Sequence, residues 1–232
     1  MSGAEDGRRE VLARIRSANR AAGVTGSTEP TAPSGPSVPS VPRDYATTGA
    51  LAAGSVEVID LLEDRLVDYR AAVTRCYDAG VADAVRAALD AAGARRVVVP
   101  PGLPPEWVPA TGLDTVVIDD GSLSPAQLDE MDAVVTASTA AAAVTGTIVL
   151  DGSPDQGRRA ISLVPDVHVC VVGAQQVVHS VPELLARLEP SRPTTFISGP
   201  SATSDIELER VEGVHGPRTL HVVLVIEPDD DA

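Results

Sequence analysis

The chain has 232 residues, 44% of them hydrophobic, enough for one domain with a real core and some additional chain. It carries 33 acidic against 18 basic residues, a net charge of -15, which repels phosphate backbones and argues against nucleic-acid binding. No lysine occurs, so a P-loop lysine, a Schiff-base lysine and a pyridoxal-phosphate site are excluded.

The N-terminal stretch MSGAEDGRREVLARIRSANR is charged and lacks the apolar core of a signal peptide. Within residues 1–22 a helix is predicted from Asp6 to Arg20, with Val11, Leu12 and Ile15 as a narrow apolar stripe that needs a docking surface. Residues 23–50 are rich in Gly, Ser and Pro and read as a linker. The domain is predicted over residues 51–227, followed by an acidic tail over 228–232.

Inside the domain, Val56 to Val67 has the spacing of an amphipathic helix, with Val56, Ile59, Leu62 and Leu66 on one side. YRAAVTRCY reads as a strand. Gly80 to Ala92 is an Ala-rich helix closed by Gly93. ARRVVVPPGLP and DTVVIDDG each contain a short buried strand. Ser124 to Met131 is a helix with Ser124 as N-cap and Pro125 in its first turn. DAVVTAS is a strand, STAAAAVTG a short helix or loop, and TIVLDG a strand. RAISLVPDVHVCVVGA is read as two strands joined at Pro165 and Asp166. Pro182 to Leu188 is helical, TTFISG a strand, Ser201 to Val211 a helix, and TLHVVLVIE the last strand.

The longest weakly polar run, Ala133 to Leu150, is broken by Thr, Ser and Gly and is no membrane span. Aromatic content is 2%, so Val, Ala, Leu and Ile must build the core. Cys76 and Cys170 lie far apart, implying neither a disulfide framework nor an iron–sulfur cluster held by this chain alone. That cysteine usage suits a reducing, cytoplasmic compartment. Short β-rich runs alternating with helices predict an α/β fold: an open, mostly parallel sheet with helices on both faces. Ligands of such sheets sit at the carboxyl ends of strands.

Chemistry concentrates in SGPSATSDIELERVEGVHGPRTLHVVLV, Ser198 to Val225. If TTFISG is a strand and Ser201 begins a helix, the N–H groups of its first turn and the hydroxyls of Ser198, Ser201, Thr203 and Ser204 form an anion-favouring corner. A well-capped helix would show the same residues. Asp205 either offsets the helix dipole or orients a loop group. In EGVHGPRTL, Gly213 and Gly216 permit unusual backbone angles and Pro217 fixes the exit. His215 and Arg218 together can grip a carboxylate or phosphate, and His215 can also move a proton. A loop held by its own hydrogen bonds is the competing reading.

Elsewhere, the loop Asp151 to Arg159 is either a plain connection or a device that lowers Arg158 or Arg159 onto an anion. In VHVCVV, alternation puts His168 and Cys170 on one face, where a buried, hydrogen-bonded histidine is the expectation. Metal ligation there would need Asp166 and His215 to converge. Ser198 and Ser201 lack a G-x-S-x-G elbow, and no G-x-G-x-x-G follows a strand, so a serine hydrolase and a nicotinamide or flavin site have no support.

The chain resembles the LUD-domain family. The likeness is carried by FISGPSATSDIELERVEGVHGPRTLHVVLV, TGTIVLDGSPDQGRRAISLVPDVHVCVV, GARRVVVPPGLP and the N-terminal REVLARIRSA and VPRDY. The resemblance implies a three-layer α/β/α domain similar to the sugar-phosphate isomerase and CoA-transferase superfamily. It implies a role in oxidising L-lactate to pyruvate, as the part of a three-protein system without iron–sulfur clusters, whose partners are iron–sulfur proteins. It implies a subunit rather than a catalyst acting alone, with no cofactor or metal of its own. One departure is Val144, where relatives usually carry an acid before TGT.

The residues expected to matter are thus Ser198, Gly199, Ser201, Thr203 and Arg218 for binding a small carboxylate or phosphate, and His215 and Asp205 for catalysis. Other readings are a self-sufficient isomerase- or transferase-like enzyme acting on a sugar phosphate or acyl-CoA, which Val144 disfavours, and a ligand-sensing module without chemistry. Neither nucleic acid nor membrane insertion belongs to any of them.

Overall fold

The computed structural model describes residues 3–21, 44–108, 110–204, 210–213 and 215–227. Residues 23–43 of the linker predicted over 23–50, and the acidic tail over 228–232, fall outside them. The chain divides into two units between Asp44 and Tyr45. In the first, helix α1 (Gly3–Ala21) exposes Val11, Leu12 and Ile15, and Arg14 pairs with Glu10 one turn away at 2.7 Å.

In the second unit the strands are, in chain order, β1 (Ala72–Cys76), β2 (Arg96–Val99), β3 (Thr115–Ile118), β4 (Ala133–Thr136), β5 (Ala140–Ala142), β6 (Thr147–Leu150), β7 (Val167–Gly173), β8 (Val177–Val178), β9 (Thr195–Ile197), β10 (Ala202–Ser204), β11 (Arg210–Glu212) and β12 (Thr219–Val225). The helices are α2 (Val56–Asp68), α3 (Val81–Ala91), α4 (Pro125–Asp129) and α5 (Val181–Ala186). Six strands form one wholly parallel sheet in the order β1-β12-β7-β4-β2-β3. β8, β5, β6 and β9 form a second, smaller sheet.

Alternation decides what each face of the large sheet meets. Val97, Val99, Ala133, Val135, Val169 and Val171 pack under Val81, Val85, Ala88 and Leu89 of α3. Cys170, Val172, Val222 and Leu224 point the other way, onto Leu62 and Leu66 of α2 and Ile148 and Leu150 of β6. Leu62 and Leu66 have no exposed surface, and burial of each contributes about 1.5–3 kcal/mol. α4 caps the same side through Leu128, which meets Val98, Val134 and Ile161. α5 covers the outer face of the small sheet, with Leu184 against Ala140, Ala142 and Val149.

Local signals hold where the chain is punctuated. Ser124 and Gln127 form a capping box on α4, and Ser55 caps α2 through the Val58 N–H at 3.3 Å. The chain already packs on the domain at Gly49, where a Cβ would fall 2.4 Å from the His179 Cβ.

Three expectations are overturned. Ala140–Ala142 is a strand, not a helix or loop: it pairs with β6 on one side and β8 on the other, and this buried pairing outweighs alanine's helical preference. Residues 159–164 are a turn rather than a strand, closed by Ile161 N–H to Arg158 O and Val164 N–H to Ala160 O, both 3.1 Å. The helix expected over Ser201–Val211 is replaced at both ends by the antiparallel pair β10 and β11. The Ser201 N–H donates to Pro217 O at 2.8 Å and the Ser201 carbonyl accepts from Gly213 N–H at 3.0 Å. Backbone groups that a helix start at Ser201 would leave free are consumed by these bonds, so among the described residues no helix N-terminus stands there to hold an anion.

Candidate functional site

β9 belongs to the small sheet, and the chain enters β12 at the amino end of the large one. The residues gathered from Ser198 to Arg218 therefore lie by the amino ends of β7 and β12, not at the carboxyl edge that α/β sheets use for ligands. They nonetheless frame a cavity of about 290 Å3 between the loop after β9, the turn at 159–163 and the large sheet.

Four of the expected residues line it: Ser198, Gly199, Ser201 and His215. Gly199 has φ +84°, and a Cβ there would come within 2.6 Å of Tyr69 Cβ, so the loop after β9 needs glycine to turn this tightly against the end of α2. Its turn leaves Ser198 Oγ 2.8 Å from Thr147 Oγ1. Ser201 Oγ accepts from the His215 backbone N–H at 3.1 Å, which ties the loop carrying the exposed His215 to the cavity wall. The floor is His168, buried, with its Nε2 2.8 Å from Thr136 Oγ1. Burial pushes the His168 imidazole down to about 4, so it is neutral at neutral pH and serves as a hydrogen-bonding group rather than a charge.

The other expected residues stand apart. Arg218 lines a neighbouring cavity of about 500 Å3 with Asp129 and His215. Its guanidinium is held in a two-bond fork by Asp166, Nε to Oδ1 at 2.6 Å and Nη2 to Oδ2 at 2.7 Å. Thr203 sits in β10 opposite Val211, and Asp205 lies outside the described residues. The cation that reaches the first cavity is instead Arg159, on the turn that was expected to be a strand. It is exposed and has no ion pair among the described residues.

A second cavity, about 490 Å3, lies on the other side of Arg159, which lines both. It flanks the crevice between β2 and β4, where strand order reverses. The loop Asp151 to Arg159 plugs that crevice: Pro154 O accepts from Gly102 N–H at 2.8 Å and Asp155 O from Ala137 N–H at 3.0 Å. Gln156 holds the loop from below, its Oε1 accepting from Asp151 N–H at 2.7 Å and its side chain meeting Thr139. Arg192 grips Asp151 at 2.9 Å. Burial raises the Asp151 carboxyl, but bonds from Ser153 and Arg192 outweigh it, so it titrates below the ordinary range. At the cavity wall Arg158 donates to Asp119 through Nε at 2.7 Å and Nη2 at 3.0 Å, and to Leu123 O at 2.5 Å. The loop does lower arginines to a cavity, one clamped and one without a partner among the described residues.

Among the described residues no group of three His, Cys, Asp or Glu could hold a metal ion. Asp166 is exposed just before β7 and bonded to Arg218, whereas His168 is buried and bonded to Thr136, so the two do not share a ligand set. Val144 occupies the β5–β6 turn closed by Gly146 N–H to Ala143 O at 3.1 Å, is 45% exposed, and lines none of the three cavities.

No helix among the described residues is long and apolar enough to cross a membrane. Comparison with known proteins gives a match to the LUD domain family model over residues 124–225, which takes in every lining residue from Arg158 to Arg218 but not Asp119. The chain is 50% identical to lactate utilization protein C of Deinococcus radiodurans over 173 residues, 73% of this chain and 80% of that protein. It is 30% identical to lactate utilization protein C of Bacillus subtilis over 115 residues, 46% of this chain and 48% of that one. A crystal structure of a DUF162 family protein from Deinococcus radiodurans superposes with a TM-score of 0.62 at 41% identity, covering 75% of this chain and 99% of that one.

Proposed function

The chain belongs to the LUD-domain family, and on that premise we propose that it serves L-lactate oxidation as a component without iron–sulfur clusters, binding a small carboxylate for iron–sulfur partners. The observation that carries the reading is the convergence of Arg159, Ser198, Ser201 and His215 on one cavity in a chain so similar to a lactate utilization protein C.

In this reading the Arg159 guanidinium takes the carboxylate by paired charge-assisted hydrogen bonds. The Ser198 and Ser201 hydroxyls complete its shell. His168, neutral and fixed by Thr136, offers a hydrogen bond to the 2-oxygen from the floor. His215 at the mouth takes the proton of the 2-hydroxyl group. The C2 hydrogen would be lost as a proton to solvent and two electrons to the iron–sulfur partner, giving pyruvate. Arg218 is neutralised by its fork with Asp166, which leaves Arg159 as the cation of this cavity.

The test is complementation of a strain lacking this chain, grown on L-lactate, with lactate-dependent dye reduction measured in the extract. The wild-type chain restores both; R159A and the H215A/S201A pair restore neither, though each accumulates as folded protein. Unimpaired growth of the deletion strain on L-lactate sinks the proposal. Full rescue by R159A removes the cavity from it.

A further inference from the structure

We infer that the 490 Å3 cavity beside the strand-order crevice is a binding site for a phosphate monoester of a hydroxylated small molecule. The site is distinct from the carboxylate cavity of the proposed function, although Arg159 stands between the two.

The volume falls in the range of clefts that enclose small ligands. Position favours it too, since open α/β sheets bind ligands beside the carboxyl ends of strands where strand order reverses. Pro101 after β2 and Asp119 after β3 both line it. The chemistry comes from two adjacent arginines. Arg158 is pre-positioned: Asp119, 4% exposed, accepts its Nε and one Nη2 bond, and Leu123 O accepts another from Nη2. These bonds leave Nη1 of Arg158 uncommitted. Arg159 brings a whole guanidinium with no ion pair among the described residues. A planar fork fixed from behind, beside a second fork, matches the several oxygens of a phosphate better than it matches one carboxylate.

Asp119 is neutralised by Arg158, so the carboxylate facing a ligand is Asp120, which is exposed and accepts the Ser122 N–H at 2.9 Å. A carboxylate there repels a bare anion but accepts hydroxyl donors. Thr194 also lines the cavity and adds a hydroxyl. Two arginine forks with a hydrogen-bond-accepting carboxylate beside Arg158 select a molecule that carries an anionic group together with hydroxyl donors.

The test is titration calorimetry of the full chain with glycerol 3-phosphate, inorganic phosphate and glycerate at constant ionic strength. Glycerol 3-phosphate should bind saturably, about tenfold more tightly than inorganic phosphate or glycerate. R159A, an exposed change, should weaken it about tenfold or more. R158Q alone strands a buried carboxylate, so the companion is D119N/R158Q, which removes both charges; it should stay folded by circular dichroism and lose the same binding. D120N should erase the preference over inorganic phosphate. Absence of saturable binding overturns the site. Binding untouched by R159A and D119N/R158Q places the ligand elsewhere and overturns it as well. Equal or tighter binding of inorganic phosphate overturns the hydroxylated-ester assignment, and tighter binding of glycerate overturns the phosphate one. No lactate enters the assay, so failure of the lactate role leaves these outcomes unaffected.

Discussion

The Arg158 guanidinium clamps the Asp119 carboxylate with bonds of 2.7 and 3.0 Å, and the carboxylate is almost wholly out of water while the arginine is 36% exposed. Such a pair is asymmetric. Removing the arginine strands a buried charge, whereas removing both charges strands nothing. R158A should therefore lower unfolding free energy by about 2 kcal/mol, below the usual cost of breaking a buried pair because water reaches the arginine side. D119N/R158Q should fall within about 1 kcal/mol of wild type. Urea denaturation checks both, and equal losses in the two variants would show that the pair's charge is not what holds the loop.

His168 makes stability depend on pH. Its folded value of about 4 lies below the ordinary histidine value of 6.5, so between these the unfolded chain binds the proton and the folded chain does not. Stability is fully present above 6.5 and is lost as pH falls toward about 4, by about 3 kcal/mol at most. His221, half-buried and also lowered by burial, acts in the same direction. Asp155, raised by burial, acts in the opposite one. The lowered carboxyls Asp132 and Asp151 lose their contribution only below the ordinary carboxylate range. H168Q should flatten most of the slope between pH 7 and 4 in urea midpoints. An unchanged slope would mean that His168 takes a proton in the folded state.

The large sheet was legible because its strands are continuous apolar runs: VVV in β2, AVVT in β4, VHVCVVG in β7 and TLHVVLV in β12. Such runs are what a sheet buried on both faces requires. The small sheet was not legible. Its strands take their form from partners distant in sequence, as when Ala141 pairs with Ile148 and Val177 together. The site was half legible. Ser198, Gly199, Ser201 and His215 share one loop-rich stretch that special-geometry residues mark. Arg159 enters from a segment whose place depends on how the chain crosses the sheet. Its signal was the arginine pair closing the glycine-flanked loop after β6, which fixes the chemistry but not the cavity. The pair β10 and β11 was misread because the run of Ser and Thr from Ser201 to Ser204 mimics a helix cap.

Two glycines with similar backbone angles should respond differently to alanine. Gly93 has φ +67° with nothing within 4 Å of a Cβ, so G93A should cost only the left-handed penalty, about 1 kcal/mol. Gly199 has φ +84° and a Cβ 2.6 Å from Tyr69 Cβ and 3.1 Å from its carbonyl oxygen. G199A should cost about 2–3 kcal/mol, the angle plus the clash, and move the Ser198 loop. Thermal unfolding of both variants checks the ranking. If G199A costs no more than G93A, the contact with Tyr69 relaxes freely and does not define the cavity wall.

The two thiols should differ in the same way that their surroundings do. Burial pushes the Cys170 thiol up to about 12, and its sulfur lies 3.8 Å from both Thr136 Oγ1 and Ala137 O under the sheet. Cys76, half-buried at the end of β1, is also raised by burial, with Asp78 adding to the shift. The thiolate is the reactive form, so neither cysteine should be a fast nucleophile at neutral pH. Under a disulfide reagent at pH 8 the native chain should release one equivalent slowly, from Cys76, and C76S should release none until denaturant is added. Fast native labelling of Cys170 in C76S would show that the sheet opens between β4 and β7, which would also expose His168 to protonation and flatten the acid limb predicted above.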